Sequence, residues 1–363
     1  METSRLIRPD FWESDAPVMM GGGPEADVPG LVFFRTSGST GTPKWIGLSR
    51  RALMVSAAAV NRHLDVTRDS CWALTLPVDH VGGFGVVARV FESGCRLAEY
   101  GRKWDAAECA AWLGECGATH LSLVPTQVHD LVAAGLRAPA SLRAIVVGGG
   151  VLAESTGRAA RELGWPVLAS FGMTETCSQV ATQPLEVLDS PYHPLPIPLL
   201  PCWEARVDGD GRILLKGDAL FSGMLVHGDG GWKYEERSSE WHVTSDSGRV
   251  EGRDVFLTGR ADAQVKILGE LVDPVAVEAE LLTLSSRRDF VVTAIPDERA
   301  GHRLVLVHEG GDEAFAEALA AYHAACAGFR RISRCVAVER IPRSPLGKPL
   351  RKELSQIVAN LVL

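Results

Sequence analysis

Apolar residues in this chain fall into short runs, separated by stretches in which they return with a helical period. The runs "CWALTLPV" (71–78), "CRLAEY" (95–100), "THLSLVPT" (119–126), "LRAIVVGGG" (142–150) and "PVLASFG" (166–172) predict strands. Between them, "FGVVARVFES" (84–93), "DAAECAAWLGECG" (105–117), "QVHDLVAAGL" (127–136) and "ESTGRAARELG" (154–164) predict helices. Apolar strands alternating with helices imply a largely parallel α/β sheet covered on both faces. Ligands of such sheets sit beyond the carboxyl ends of strands, where "VVGGG" (146–150) and "ASFGMTET" (169–176) fall. Ahead of this series, "LVFF" (31–34) leads into "FRTSGSTGTPK" (34–44). The pattern "SRRALMVSAAAVNRH" (49–63) then predicts a helix that begins just after that loop.

From 184 to 201 the chain turns proline-rich and the alternation stops. "WEARVDGDGRILLKG" (203–217) and "EWHVTSDSGRVEGRDVFLTGR" (240–260) carry short strands and Asp-Gly turns, which predict antiparallel hairpins. The pattern changes again near 260. "DPVAVEAELLTL" (273–284) and "DEAFAEALAAYHAACAGF" (312–329) predict helices, and "DFVVTAIP" (289–296), "RLVLVHE" (303–309) and "CVAVERIP" (335–342) predict strands. The fold class is α/β. A large N-terminal domain of α/β sheets with an antiparallel β section (1–261) is followed by a small C-terminal α+β domain (262–363). The last apolar stretch, "QIVANLV" (356–362), reads as a docking helix rather than a membrane anchor.

Composition narrows the function. With 46% apolar and 23% charged residues, the 363-residue chain reads as a soluble globular protein. A net charge of −8 offers no basic field for nucleic acid or an anionic membrane surface. "METSRLIRPDFWESD" lacks the apolar core of a signal peptide, and no apolar run reaches bilayer-spanning length, so a cytoplasmic location is expected. The 8 cysteines show neither C-x-x-C pairs nor metal spacing and read as reduced thiols. Lysine is scarce beside arginine, which draws attention to Lys44 in its Gly/Pro-rich loop.

Taken singly, the polar features have plain readings. "TSGSTGTPK" is either a flexible linker or a loop whose hydroxyls, amides and lysine cradle polyphosphate; it lacks Walker A spacing. "SFGMTETCSQ" (170–179) is either a polar turn or a base-stacking, Mg2+-binding segment at a strand end. Asp246 with Arg260 is either a surface ion pair or a clamp on ribose hydroxyls. Lys348, in "IPRSPLGKPLRKEL" (341–354), is either a solvated lysine or a catalytic one.

Taken together, "TSGSTGTPK", "GGG" (148–150), "FGMTET", "TSDSG" (244–248), "TGRADAQVKILGE" (258–270) and "PRSPLGKPLRKEL" resemble the adenylate-forming acyl-CoA synthetase superfamily, from about residue 31 onward. "FGMTETCSQ" with "LPVDHVGGF" (76–84) is most similar to its branch acting on o-succinylbenzoate in menaquinone synthesis. The resemblance implies a ligase that joins a carboxylic acid to coenzyme A through an acyl-adenylate, with ATP and Mg2+.

By position, Thr36, Ser37, Gly38, Ser39, Thr40, Gly41 and Lys44 would hold the β- and γ-phosphates. Phe171 would stack on adenine beside Gly172, Thr174 would touch the α-phosphate, and Glu175 would help bind Mg2+. Asp246 and Arg260 would grip the ribose; Gly148 to Gly150 would line the junction of adenine and acyl pockets. Lys348 would act in adenylation, and Asp262 would be the hinge of a mobile C-terminal domain. Lys266 to Glu270 would face the pantetheine of CoA. His80 would stand at the mouth of the acyl pocket, with Thr126 and Gln127 as polar groups for the substrate's free carboxylate.

The chain departs from the family in two ways. Only 35 residues precede Thr36, where relatives carry a subdomain, so a truncated N-terminal domain is expected and a homodimer is left open. Ser245 stands where glycine is common. Ligation of another aryl or acyl acid, loading of a carrier protein, and non-catalytic nucleotide binding remain the alternatives.

Overall fold

The computed structural model describes residues 2–36, 44–228, 231–260, 264–268, 270–285, 287, 289–297, 299–310, 315–344, 347 and 349–362, with only the backbone of 271, 352 and 362. The chain forms two compact units, Met1–Thr244 with Arg249–Phe256, and Ser245–Gly248 with Leu257–Leu363.

The first unit begins with α1 (Thr3–Leu6), α2 (Pro9–Glu13), β1 (Val18–Met19), β2 (Leu31–Thr36) and β3 (Lys44–Ser49). β1 lies parallel to β2, and β2 pairs antiparallel with β3, so that Thr36 faces Lys44. This corrects the expectation of a helix directly after the loop: a strand comes first. Trp45, Ile46 and Leu48 are buried in β3, which places this segment inside a sheet. The helix α3 (Arg50–His63) starts only after Ser49, whose hydroxyl accepts the Ala52 amide at 3.1 Å as its N-cap.

The expected α/β series follows: β4 (Cys71–Leu74), α4 (Val81–Ser93), β5 (Arg96–Glu99), α5 (Ala106–Glu115), β6 (His120–Leu123), α6 (Pro125–Ala133), β7 (Ala144–Val147), α7 (Glu154–Glu162), β8 (Val167–Phe171) and β9 (Ala181–Thr182). The sheet order is β5-β4-β6-β7-β8-β9, parallel through β8 and antiparallel at β9. Every residue of β4, β6 and β7 is buried. A parallel sheet covered on both faces requires this, and it explains their unbroken apolar runs.

The proline-rich stretch leads to β10 (Ile197–Pro198), β11 (Trp203–Val207), β12 (Arg212–Gly217), β13 (Gly223–Gly228), β14 (Gly231–Glu236), β15 (His242–Glu251) and β16 (Asp254–Arg260). One sheet runs β10-β16-β15-β12-β11, while β13 and β14 extend the first hairpin as β1-β2-β3-β13-β14. The N-terminal segment is tied to α3 and α4. Trp12 stacks on Phe91 at 5.3 Å, and the buried Arg50 donates to the carbonyls of Phe11 and Ala16, each at 2.8 Å.

The second unit holds β17 (Val265–Ile267), β18 (Glu270–Val272), α8 (Pro274–Leu284), β19 (Phe290–Asp297), β20 (Gly301–Glu309), α9 (Ala316–Ala325), β21 (Ile332–Val338) and α10 (Arg351–Val362). Its sheet runs β19-β20-β21. Strand side chains alternate between faces. Val292, Leu304 and Leu306 therefore pack with Val277 and Leu281 of α8, while Val291, Val305 and Val307 pack with Leu354 and Val358 of α10. The C-terminal apolar stretch is thus a docked helix. No helix among the described residues is long and apolar enough to cross a membrane.

Two stability effects follow. Arg50→Met removes both donors to the N-terminal segment and is expected to cost about 2 kcal/mol, the order of a buried charge-assisted hydrogen bond; urea unfolding measures it. At Gly172 a Cβ would lie 1.5 Å from the Ser178 carbonyl oxygen. Gly172→Ala is therefore expected to cost at least about 3 kcal/mol, the upper end for overpacking.

Candidate active site

The carboxyl ends of four parallel strands, β4, β6, β7 and β8, are followed by expected site positions. His80, partly buried, follows β4 and is the N-cap residue of α4. The turn before it is tight: a Cβ on Gly83 would meet the Pro77 carbonyl oxygen at 2.2 Å. Thr126 follows β6 and is exposed on the first turn of α6. Its neighbour Gln127 is buried, and its side-chain oxygen accepts the Val124 amide at 3.0 Å, so this carboxamide is engaged in capping α6. Gly149 and Gly150 follow β7 and are exposed; Gly149 adopts φ +76°, a conformation that favours glycine. Gly172, Thr174 and Glu175 follow β8. Phe171 closes β8 and is only 6% exposed, so stacking on adenine requires that ring to be uncovered.

Glu175 lies in a 3-10 turn, Thr174–Thr176, against which β3 packs. Two consecutive amides make the join: Phe221 donates to the Glu175 carbonyl at 2.8 Å and Ser222 to the Gly47 carbonyl at 2.9 Å. The hairpin bearing Thr36 and the partly exposed Lys44 is thereby fixed to the turn bearing Glu175. Ser37, Gly38, Ser39, Thr40 and Gly41 lie outside the described residues.

The turn itself is strained. Cys177 (φ 54°) and Ser178 (φ 98°) both have positive φ, at roughly 1–3 kcal/mol each. Thr176 closes the turn, its hydroxyl accepting the Met173 amide at 3.1 Å and donating to the Met173 carbonyl at 3.0 Å. The Ser56 hydroxyl holds the Cys177 carbonyl at 3.2 Å, and burial pushes the Cys177 thiol above its ordinary range.

Sequence reasoning missed Arg89. It lies inside α4, 2% exposed, and among the described residues no carboxylate pairs with it. Its guanidinium donates to the Ser122 hydroxyl at 3.2 Å and the Gln179 side-chain oxygen at 2.5 Å, and stands 4.9 Å from the centre of the Trp72 ring. Burial lowers it to about 9, still cationic at neutral pH. Gly85 borders it: a Cβ there would lie 3.2 Å from its Nη2. The available signal was a lone arginine amid the apolar positions of "FGVVARVFES".

The ribose candidates belong to the second unit. Arg260 and Asp246 pair with each other at 3.5 Å, with side chains 44% and 15% exposed. The Arg260 amide donates to Asp273 Oδ2 at 3.0 Å, while Asp273 Oδ1 accepts the Val275 amide at 2.8 Å and caps α8. Lys266 is exposed in β17. Lys348 and Asp262 lie outside the described residues.

Among the described residues no group of three or more His, Cys, Asp and Glu side chains gathers to hold a metal. A single carboxylate such as Glu175 nonetheless suits Mg2+, which takes one or two carboxylates and completes its shell with water and phosphate oxygens.

Known proteins resemble this chain in sequence and in fold. A 2-succinylbenzoate–CoA ligase of Bacillus cereus is 28% identical over 344 residues, 91% of this chain and 71% of its own length. One from Enterococcus faecalis is 29% identical over 280 residues, 73% of this chain and 56% of its own. Among solved structures, o-succinylbenzoate CoA synthetase of Bacillus subtilis, in complex with its acyl-adenylate intermediate, superposes with a TM-score of 0.75 at 24% identity, covering 89% of this chain and 68% of that one. ATP-bound MatB of Rhodopseudomonas palustris gives 0.78 at 23% identity, covering 92% and 69%. Residues 24–225, more than half of the chain, match the family described as AMP-binding enzyme. The chain therefore belongs to the AMP-binding enzyme family.

Proposed function

We propose that this chain is an ATP- and Mg2+-dependent acid–thiol ligase that converts 2-succinylbenzoate to its coenzyme A thioester through an acyl-adenylate. The observation that carries the substrate is Arg89. A buried guanidinium without a carboxylate partner is costly unless an anion meets it. The Arg89 guanidinium reaches Ser122, one residue before the carboxyl end of β6, and 2-succinylbenzoate has a second carboxylate to offer. The curated relatives support the same acid.

A carboxylate is a poor electrophile until one oxygen becomes part of a good leaving group. In the first half-reaction the acid attacks the α-phosphorus of ATP and pyrophosphate leaves. In the second, the CoA thiolate attacks the acyl carbon and AMP leaves. The loop from Thr36 to Lys44 would hold the β- and γ-phosphates, Thr174 the α-phosphate, and Glu175 would ligate Mg2+. Mg2+, when bound, supplies charge neutralisation on the phosphates. Asp246 and Arg260, paired here, would exchange part of that pairing for the ribose hydroxyls. Lys348 would bridge carboxylate and α-phosphate, and rotation about Asp262 would then present Lys266 to Glu270 to the pantetheine. Gly149, Gly150, His80 and Thr126 would line the acyl side. A cytoplasmic enzyme fits this assignment.

Pyrophosphate release from ATP, measured over a panel of carboxylic acids with and without CoA, tests the reading. The lowest KM is expected for 2-succinylbenzoate; release with no acid, or nucleotide binding without turnover, would sink it. Arg89→Met is expected to raise the KM for that acid about 30-fold or more and leave the KM for ATP unchanged, as for a buried charge pair losing one partner. Lys348→Ala is expected to lose adenylation by ~10²–10³, the worth of one preorganised charge, yet convert supplied acyl-adenylate to thioester. Equal loss of both half-reactions contradicts its role.

A further inference from the structure

Among the described residues, Arg89 is held by neutral groups: the Ser122 hydroxyl, the Trp72 ring and the Gln179 carboxamide. The shortest of these contacts is to Gln179, itself 3% exposed. The direction of that carboxamide is fixed from the other side. Its Nε2 donates to the Thr182 hydroxyl at 2.6 Å and the Ser170 hydroxyl at 3.3 Å, and the Ser170 hydroxyl donates in turn to the Ala181 carbonyl at 3.1 Å. Reversing the amide would set an N–H against the guanidinium. The backbone is anchored too, since the Trp203 indole donates to the Gln179 carbonyl at 3.1 Å.

The usual partner for a buried arginine is a carboxylate, which would cancel its charge. Glutamate has the length of glutamine, and its second oxygen could accept the Thr182 hydroxyl, so the site has room for one. We propose that Gln179 is a charge-preserving positioning residue: its neutral oxygen fixes the Arg89 guanidinium while leaving the positive charge available to the second carboxylate of the acid. The inference rests on the ligase reading above and deepens it, making residue 179 the determinant of preference for a dicarboxylic over a monocarboxylic substrate.

The test compares 2-succinylbenzoate with 3-benzoylpropionate, the same skeleton with a single carboxylate. The readout is the ratio of their kcat/KM values within one preparation, which is independent of the fraction of folded enzyme. Gln179→Glu is expected to lower that ratio at least tenfold, through the KM for 2-succinylbenzoate, with the KM for ATP unchanged. Gln179→Met removes the oxygen without adding charge and is expected to lower it less. A ratio unchanged in Gln179→Glu, or lowered equally by both variants, overturns the inference. A wild-type enzyme that does not prefer the dicarboxylate instead removes the functional reading, and this inference with it.

Discussion

Two neighbouring backbone amides, of Phe221 and Ser222, set the geometry on which the first unit's chemistry depends. One donates to the Glu175 carbonyl and the other to Gly47 in the centre of β3. The hairpin bearing Thr36 and Lys44 belongs to one sheet, and the turn bearing Glu175 leaves the end of another. Backbone hydrogen bonds of this kind hold two sheets at a fixed spacing without committing side chains. Pairing of Gly223 with Gly47 extends the same contact into β13. The sheet thus continues on the side of β3 away from β2, and the loop's second strand is internal rather than an edge.

That geometry is bought with strain. The Glu175 turn returns so sharply that Gly172 has no space for a Cβ and two residues in succession adopt positive φ. Such a turn persists because its surroundings over-determine it: Thr176 closes it, Ser56 grips its carbonyl, and Val180 returns its amide to Phe171 at 2.8 Å. Arg89 is the electrostatic counterpart. In a low-dielectric interior its charge is expensive, and the hydroxyl and carboxamide that accept from it are neutral.

The second unit follows a simpler rule. Period-two alternation in β19 and β20 gives each face its own helical cover, and Arg351 of α10 links to Glu278 of α8 through two 2.8 Å hydrogen bonds. Asp273 joins the first turn of α8 to the amide of Arg260, and Gly259 is the residue that lets that carboxylate approach, since a Cβ there would lie 2.1 Å from it. The position of Arg260 relative to Asp246 therefore depends on a helix cap.

Much of this was legible in the residues. The unbroken apolar runs of β4, β6 and β7 suit strands covered on both faces. The order of "TSGSTGTPK", "FGMTET" and "TGRADAQVKILGE" pointed to a nucleotide-dependent ligase because each motif carries its chemistry within a few consecutive residues. Other features were beyond local reading. "KWIGLS" (44–49) became a strand because β2 and β13 claim its two edges, a decision made by residues far along the chain. Gln127 looked like a substrate ligand until the backbone of α6 took its oxygen. Arg89 and Gln179 stand 90 positions apart and share no motif, yet they meet at 2.5 Å. The sequence by itself determined most of the strands and helices and the class of reaction, because those depend on short-range periodicity and contiguous groups. Only the tertiary structure decided which charge goes uncompensated, because compensation depends on what the folded chain brings within hydrogen-bonding distance.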